Sequence, residues 1–495
     1  MTRARASLFI STICTAQLCA YAGIGQTLAI LREIGISFRV GNTGDLTWAL
    51  AGYGLAIGTF TLIAGRLGDT YGYKRILLAG LVWSAIWSAI SGTAVYSTHI
   101  FFIFSRVFDG LGAALSIPNS LALLGAAYPP GKQKAVVFTL VATMAPIGII
   151  IGAISASLLA LVWWPLTYWI FAVTLLMIAG VGHFTIPDES TSKDETPATI
   201  RAAISELDIP GAVSAVSAFV LIGFAWNQAP LVGWQEPYLW IALIVGILIA
   251  MLFLLIEIYY AHKPLIPFNS ISSDVYFILA ADACGWSCFG IWASYTWQFV
   301  EDIRGTPPLL ATAYISPCII VGCLATASSG FVLQRLSAPI VVSISLLGFM
   351  LGSILVATMP AVQTYWTQVF FSVLTVSWAM DTGFPATALA LSNAFEKKHQ
   401  STAASLAYTV TNYSVFLGLG IARTVEAYVT RGDQSIDSKL KGYRAALSTA
   451  VGLAGLGVDF ALAGDSQVYL LYFEGPSVSY LSGMPVIDVI YRVSV

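Results

Sequence analysis

Long apolar runs, each near the length that spans a bilayer and each closed by a short polar break, recur along almost the whole chain. A helix crossing the hydrocarbon core needs roughly 20 mostly apolar residues. Runs of that kind lie near 6–31, 46–65, 76–97, 99–127, 134–162 and 166–186, then near 208–228 and 237–261. Six more lie near 273–299, 308–333, 336–358, 364–392, 401–429 and 444–463. The pattern predicts an all-α polytopic membrane protein of about fourteen transmembrane helices, grouped six, two and six. The longest hydrophilic break, Pro187 to Leu207, carries Asp188, Glu189, Lys193, Asp194, Glu195, Arg201 and Glu206. It divides an N-terminal six-helix bundle (1–186) from the rest, with 187–207 as a polar linker. Two additional helices occupy 208–262 and end at the short break His262-Lys263-Pro264; a C-terminal six-helix bundle occupies 263–463. The tail, 464–495, reads neither as a span nor as a charged end, and Asp459 in the last span is costly in lipid, so this end is expected to depart from related chains and to carry no function.

Composition agrees with the pattern. Hydrophobic residues make up 57% of the 495 positions and charged residues 10%, against roughly 25% charged in a soluble domain. A net charge of −2 argues against a nucleic-acid partner; membrane lipid and a small molecule are the expected partners, and the chain is expected to be a monomer. The six cysteines all sit in apolar runs without clustered histidines, which suits small buried hydrophobes better than metal ligands. Met1-Thr2-Arg3-Ala4-Arg5 leads directly into a span too long for a signal-peptide core, so the first helix reads as a retained signal anchor. The sequon Asn412-Tyr413-Ser414 falls inside a span and is expected to be unused.

Orientation follows lysine and arginine, which concentrate on the cytoplasmic side. With the N-terminus in the cytoplasm, that side gathers Arg3, Arg5, Arg66, Lys74, Arg75, Lys132 and Lys134 in the first half, and Lys193, Arg201, Lys263, Arg335, Lys397 and Lys398 after it. Both termini are then cytoplasmic, in the plasma membrane or, alternatively, the vacuolar membrane. The stretch 430–443 is the exception, basic yet on the far side.

Chemistry concentrates in a few places. The loop between the second and third spans reads Gly65-Arg66-Leu67-Gly68-Asp69-Thr70-Tyr71-Gly72-Tyr73-Lys74-Arg75. Its glycines permit a tight turn and close helix approach. Asp69 can pair with an arginine or a helix N-terminus, and Lys74 and Arg75 anchor the loop. By composition alone it is also a plain positive-inside loop. In the fourth span, Arg106 and Asp109 are three apart and share a face, followed by Gly110, Ala113 and Ala114; an intramembrane arginine faces protein or water. This is either a coupling site or a structural ion pair. In the fifth span Pro146 removes a backbone hydrogen bond, and Gly148 and Gly152 form a small-residue face; an ordinary bent helix would show the same. Polar candidates for a central cavity are Gln26, Asn119, Asp282, Gln298, Asn412 and Asp381, with Trp286 and Trp292 as aromatic wall; of these the intramembrane carboxyls, Asp381 above all with Asp282 beside it, are the candidates to bind and release a coupling proton. Tyr295 and Trp297 read as interfacial anchors, and Arg423 with Glu426 as an ion pair.

The Gly65–Arg75 loop resembles the signature of the major facilitator superfamily, G-x-L-x-D-x-x-G-x-K-R, at each fixed position. The resemblance implies the major-facilitator fold, with two six-helix bundles plus two extra central helices, and a gate built around Asp69. The fourth span resembles the superfamily's R-x-x-x-G motif, linked to proton coupling, with Asp109 where glutamine is usual. Pro146, Gly148 and Gly152 resemble the exporters' antiporter motif in degenerate form, Ala145 standing in place of a glycine. Trp48 to Leu55, Asp208-Ile209-Pro210-Gly211, and Trp378 to Pro385 with Asp381 are similar to the fourteen-helix drug:proton antiporters and to the fungal aminotriazole-resistance-like group, which includes exporters of toxic molecules and borate and low-affinity ammonium transporters. The resemblance covers about 8 to 458. It implies a secondary transporter, with the proton as coupling ion and no cofactor, that exports small toxic or amphipathic molecules by alternating access. The alternatives are a facilitator for a small nutrient such as ammonium and a non-transporting sensor. No G-x-x-x-x-G-K-[ST] loop or metal-ligand spacing marks an ATPase or an enzyme.

Overall fold

The computed structural model describes residues 3–40, 46, 48–128, 132–187, 208–261, 264–266, 268, 273–333, 335–395, 400–433 and 435–464. The linker expected over 187–207 and the tail beyond 464 lie almost wholly outside these residues. The described residues form helices and connecting turns, without strands. In the first half these are α1 (Arg3–Ala29), a short α2 (Leu31–Phe38), α3 (Trp48–Tyr71), α4 (Tyr73–Thr93), α5 (His99–Ala127), α6 (Lys132–Ala142), α7 (Met144–Ala160) and α8 (Pro165–Thr185). The central pair is α9 (Ile209–Val232) and α10 (Pro237–Leu255). The second half holds α11 (Ser273–Gln298), α12 (Pro308–Ile315), α13 (Pro317–Val332), α14 (Ala338–Ala357), α15 (Gln368–Ala394), α16 (Gln400–Thr430) and α17 (Ile436–Ala463).

Among the described residues, helices cover all fourteen expected stretches, and twelve are both long and apolar enough to cross a membrane by length and composition. The other two are α15 and α16, with 27 and 31 residues. They have the length but too many polar positions, and both contribute walls to the interior cavity described below. Two expected spans are broken. The stretch 134–162 divides into α6 and α7 at Thr143, three residues before Pro146, where the missing N–H and the ring disrupt the preceding turn. The stretch 308–333 divides at Ser316 before Pro317 for the same reason.

Local chemistry sets several helix starts. Thr98 accepts from Phe101 N at 3.3 Å and caps α5. Asp208 accepts from Gly211 N at 3.2 Å, with Pro210 in the first turn of α9, so Asp208-Ile209-Pro210-Gly211 opens that helix as the sequence predicts. Ser435 caps α17 through Ser438 N at 3.3 Å. Between α3 and α4 the chain turns at Gly72, whose φ of 95° lies in the region that favours glycine.

The first half packs α4 on α5 and α8, α3 on α5, and α1 on α7; the second packs α14 on α15 and α17, and α11 on α16 and α17. The α1–α7 seam is held by small residues. A Cβ on Gly25 would strike the carbonyl of Ile149, and one on Gly152 the carbonyl of Ala22. Such close approach lets two backbones meet without bulky side chains between them. The halves meet along α3 and α16, where a Cβ on Gly58 would lie 2.8 Å from Tyr413 N and one on Gly65 would overlap Ser405. They also meet where α12 and α13 pack on α7. Helix α9 lies against both α3 and α16, bridging the halves, while α10 packs chiefly on α9. Ile241, Ile244, Leu248 and Met251 of α10 are each more than half exposed, the surface expected of a helix bathed in lipid.

Candidate functional site

Between the halves lies a cavity of about 200 Å³, walled by α1, α3 and α6–α7 on one side and α11, α12–α13, α15 and α16 on the other. Its surface is dominated by apolar and aromatic side chains, including Tyr21, Trp286, Phe289, Trp292, Phe384 and Tyr408. The rings support each other edge to face or tilted: Trp286 meets Phe289 at 5.3 Å, and Phe384 meets Tyr408 at 4.9 Å between centroids. Asp381 is the charged residue of this wall. It comes from the middle of α15, is 7% exposed, and its Oδ2 meets no hydrogen-bond partner. It is seated where α13 and α7 converge: a Cβ on Gly322 would stand 2.5 Å from Asp381 Oδ2 and 3.1 Å from Pro146 Cγ. Glycine at 322 therefore leaves the room that this carboxyl group occupies, and Pro146 in the first turn of α7, just past the break at Thr143, reaches the same point.

The other expected cavity residues divide. Trp286, Trp292 and Asn412 line the cavity with Asp381, and Pro146 of the expected antiporter motif joins them. Trp292 is fixed by donating to Ser372 Oγ at 2.7 Å, and Asn412 by donating to its own helix at Tyr408 O, 2.8 Å. Asp282 does not line it; it lies behind the wall, accepting from Thr387 at 2.8 Å and from Thr411 at 3.1 Å. Asn119 is also corrected, since it is fully buried between α5 and α3, donating to Ala64 O at 3.0 Å and to Leu115 O at 2.7 Å. Gln26 is buried at 3% exposure outside the cavity wall. In each case helical phase alone could not say which interior face, toward a neighbouring helix or toward the space between halves, the residue takes.

Arg106 and Asp109 form a buried ion pair, 0% and 1% exposed. Arg106 Nη2 also donates to Gly23 O of α1 at 2.7 Å, and its guanidinium lies 4.5 Å from the Tyr53 ring and 5.4 Å from the Tyr168 ring. The arginine therefore ties α5 to α1 and α3 and does not reach the cavity wall. Gly148 and Gly152 belong to the α1–α7 seam, where a Cβ on Gly148 would strike Leu18 O. In the last turn of α3, which extends through most of the expected loop, Asp69 is exposed and accepts from Tyr73 at 2.5 Å, across the turn at Gly72. Gly68 lies under Asn119 and Tyr73, with Tyr73 Cδ1 2.7 Å from the position a Cβ would take. Arg66 and Lys74 are half-buried and Arg75 exposed at the same end, near the Gly65–Ser405 contact.

A second chamber, of about 370 Å³, lies beyond the first toward the opposite end of the molecule from this loop. Leu28, Leu50 and Trp297 line both chambers and form the wall between them. Gln298, expected in the central cavity, lines this one instead, one position further along α11. Here α11 ends in a π turn, Phe299–Ile303, which carries Glu301 and Asp302 into the chamber. Tyr295 and Trp297 are 2% and 3% exposed and are not interfacial anchors. Tyr295 donates to Glu426 Oε2 at 2.6 Å, Trp297 to Glu301 Oε1 at 2.8 Å, and Tyr443 to Asp302 Oδ2 at 3.0 Å. Arg423 and Glu426 are not an ion pair, because Glu426 is turned to Tyr295 and both terminal nitrogens of Arg423 meet no partner. At the rim, Asp433 takes the N–H and hydroxyl of Ser435 at 2.9 and 2.8 Å, which hold its carboxyl below the usual range. Lys439 lines this chamber and Arg444 donates to Met359 O at 2.9 Å, so part of the basic excess at this end is directed into the protein. The chamber was missed in the sequence because its residues come from seven separate helices. The available signal was the density of charge in 298–304 and 423–443 beside tyrosines.

A family model described as the Major Facilitator Superfamily matches residues 8–419. The chain is 44% identical over 453 residues to a low affinity ammonium transporter of Saccharomyces cerevisiae, covering 91% of this chain and 87% of that protein. It is 40% identical to the efflux pump terJ of Aspergillus terreus, covering 91% and 86%, and 35% identical to the aminotriazole resistance protein of Saccharomyces cerevisiae, covering 91% and 82%. Among solved structures, a peptide transporter POT superposes with a TM-score of 0.64 at 16% identity, covering 92% of this chain and 94% of that one.

Proposed function

Because the chain belongs to the major facilitator superfamily, we propose that it exports small amphipathic molecules in exchange for protons, by alternating access to the cavity between its halves. The observation that carries the proposal is Asp381, a carboxyl group without a hydrogen-bond partner on Oδ2, set in the aromatic wall of that cavity. At this position a carboxyl group can hold a proton or face a bound ligand. Each occupant then favours a different arrangement of the halves, and that difference in affinity is what drives an exchange cycle. The aromatic rings suit a ligand with a flat or apolar body and a polar or cationic group.

With the glycine-rich loop in the cytoplasm, the Gly65–Ser405 and Gly58–Tyr413 contacts close the cytoplasmic side. Asp69 and Tyr73 brace that closure, and α7, set off from α6 by the break at Thr143, carries the movement to the far side. Arg106 and Asp109 position α1 against α5. The names of relatives supply the first compounds to test, aminotriazole and the ammonium analogue methylammonium.

The test is counterflow in proteoliposomes containing the full chain, with and without an imposed pH gradient. Gradient-dependent movement of aminotriazole that Asp381→Asn uncouples, while exchange without a gradient persists, supports the reading. Gradient-independent movement of methylammonium, unaffected by Asp381→Asn, overturns it in favour of a facilitator.

A further inference from the structure

Two buried carboxyl groups face each other away from both chambers, at the corner where the central helices meet the chain entering the second half. Asp208 stands at the start of α9 and is 6% exposed; Glu257 lies in the π turn Ile256–Tyr260 that ends α10 and is 4% exposed. Backbone groups use one oxygen of each. Asp208 Oδ1 accepts from Gly211 N at 3.2 Å, and Glu257 Oε2 accepts from Ile266 N at 3.2 Å. The other two oxygens, Asp208 Oδ2 and Glu257 Oε1, are buried and meet no donor. They share one small space: a Cβ on Gly211 would overlap Asp208 Oδ2 and stand 2.7 Å from Glu257 Oε1. The two side chains are within hydrogen-bonding reach of each other, yet a pair of ionised carboxylates has no hydrogen to place between them. Neither makes an ion pair with a described residue, and the side chains gathered at this corner, Ala212, Ala215, Phe253, Leu265 and Ile266, are apolar. Two like charges held together out of water repel strongly.

We propose that Asp208 and Glu257 bind one proton between them, in a carboxyl–carboxylate hydrogen bond that clips the start of α9 to the end of α10 and, through Ile266 N, to the segment leading into the second half. A single proton supplies the missing donor and removes one of the two facing charges. A metal ion does not suit the same space, because a hard cation takes roughly six or more oxygens, and no group of three or more ligating side chains is gathered among the described residues. The charged groups at the clip are these two carboxyls; α9, α10 and residues 264–266 otherwise present backbone N–H groups and apolar side chains to it. Loss of the proton leaves two carboxylates facing each other and loosens the corner. Stability from the bond is therefore present while the proton is held and is lost as pH rises through the range in which it leaves. In the orientation that puts the glycine-rich loop in the cytoplasm, this corner senses cytoplasmic pH. It is separate from Asp381 and needs no substrate, so it stands or falls independently of the proposed transport.

The test is infrared spectroscopy of the purified full chain, in which the carbonyl stretch of a protonated carboxyl group stands apart from the carboxylate and amide bands. Asp208→Asn and Glu257→Gln each put an amide N–H donor where the proton sat, and asparagine still caps a helix, so both variants are expected to fold. Each loses protonated-carboxyl absorbance equivalent to one group per chain, the same component in both, while Asp381→Asn leaves that component in place. In thermal unfolding the wild-type midpoint falls as pH is raised from weakly acidic to alkaline, and the fall is smaller in Glu257→Gln. Persistence of the infrared component in either variant would overturn the proposal, as would a pH dependence of the midpoint equal in wild type and Glu257→Gln. A midpoint raised by sodium or calcium chloride in wild type and not in Glu257→Gln would overturn it in favour of a bound cation.

Discussion

Tyr73 donates its hydroxyl to Asp69 at 2.5 Å, joining the last turn of α3 to the first turn of α4 across Gly72. The bond spans four residues that contain a positive-φ glycine, so the turn is held both by backbone conformation and by a side-chain latch. Gly72→Ala is expected to cost about 1–2 kcal/mol through the left-handed backbone. Tyr73→Phe is expected to cost about 0.5–1.5 kcal/mol through the lost bond. Thermal unfolding in detergent checks both. In transport assays Tyr73→Phe should mimic a mild form of Asp69→Asn, since both remove the same latch.

The α1–α7 seam predicts a sharp contrast among glycines. A Cβ at Gly25 would lie 2.7 Å from the carbonyl carbon of Ile149 and 2.9 Å from its Cα, all backbone that cannot step aside cheaply. Gly25→Ala is therefore expected to destabilise by about 1–3 kcal/mol, as overpacking does. Gly180 of α8 has nothing within 4 Å of such a Cβ, and Gly180→Ala should be neutral or slightly stabilising in the same unfolding measurement.

The Arg106–Asp109 pair can be separated from any role in coupling by a double-mutant comparison. Removing one member of a buried pair leaves the other uncompensated, at a cost of about 3–5 kcal/mol. Arg106→Met alone should show that loss in unfolding midpoint, and Arg106→Met with Asp109→Leu should recover more than half of it. If gradient-driven transport recovers along with stability, the pair is structural; transport that stays absent in a stable double variant assigns it to coupling.

Trp297 forms the wall between the two chambers and packs with Leu28, Leu50 and Ile315. Trp297→Ala should merge them, at a stability cost of about 3–5 kcal/mol for truncating a buried aromatic. The expected phenotype is substrate leak down its gradient without proton coupling, read as gradient-independent efflux from loaded proteoliposomes. Trp297→Phe should restore most of the coupling.

Much of this protein is written in one dimension. Span length and apolarity place the membrane helices, because a bilayer accepts only backbone that satisfies its own hydrogen bonds. Gly72, Pro146 and Asp208 mark a turn, a break and a helix start through local backbone chemistry alone. The loop Gly65–Arg75 identifies the family from a contiguous stretch, and the family model and relatives bear it out.

What the sequence by itself could not determine is which way an interior polar side chain points. In a bundle buried on most sides, a helix carries no single polar face, so period 3.6 does not separate a residue facing a neighbouring helix from one facing a cavity. Asp282, Asn119 and Asp381 look alike in sequence; only tertiary packing assigns Asp282 to Thr387 and Thr411, Asn119 to the backbone of α3, and Asp381 to the cavity. The same holds for Arg423 and Glu426. Their spacing of three suggests a pair, but Tyr295, from a helix well over a hundred residues earlier in the chain, takes the carboxylate and leaves the terminal nitrogens of the guanidinium buried without a hydrogen-bond partner. Short-range spacing fixes which side chains can meet on one helix, and long-range packing decides which of those meetings occur.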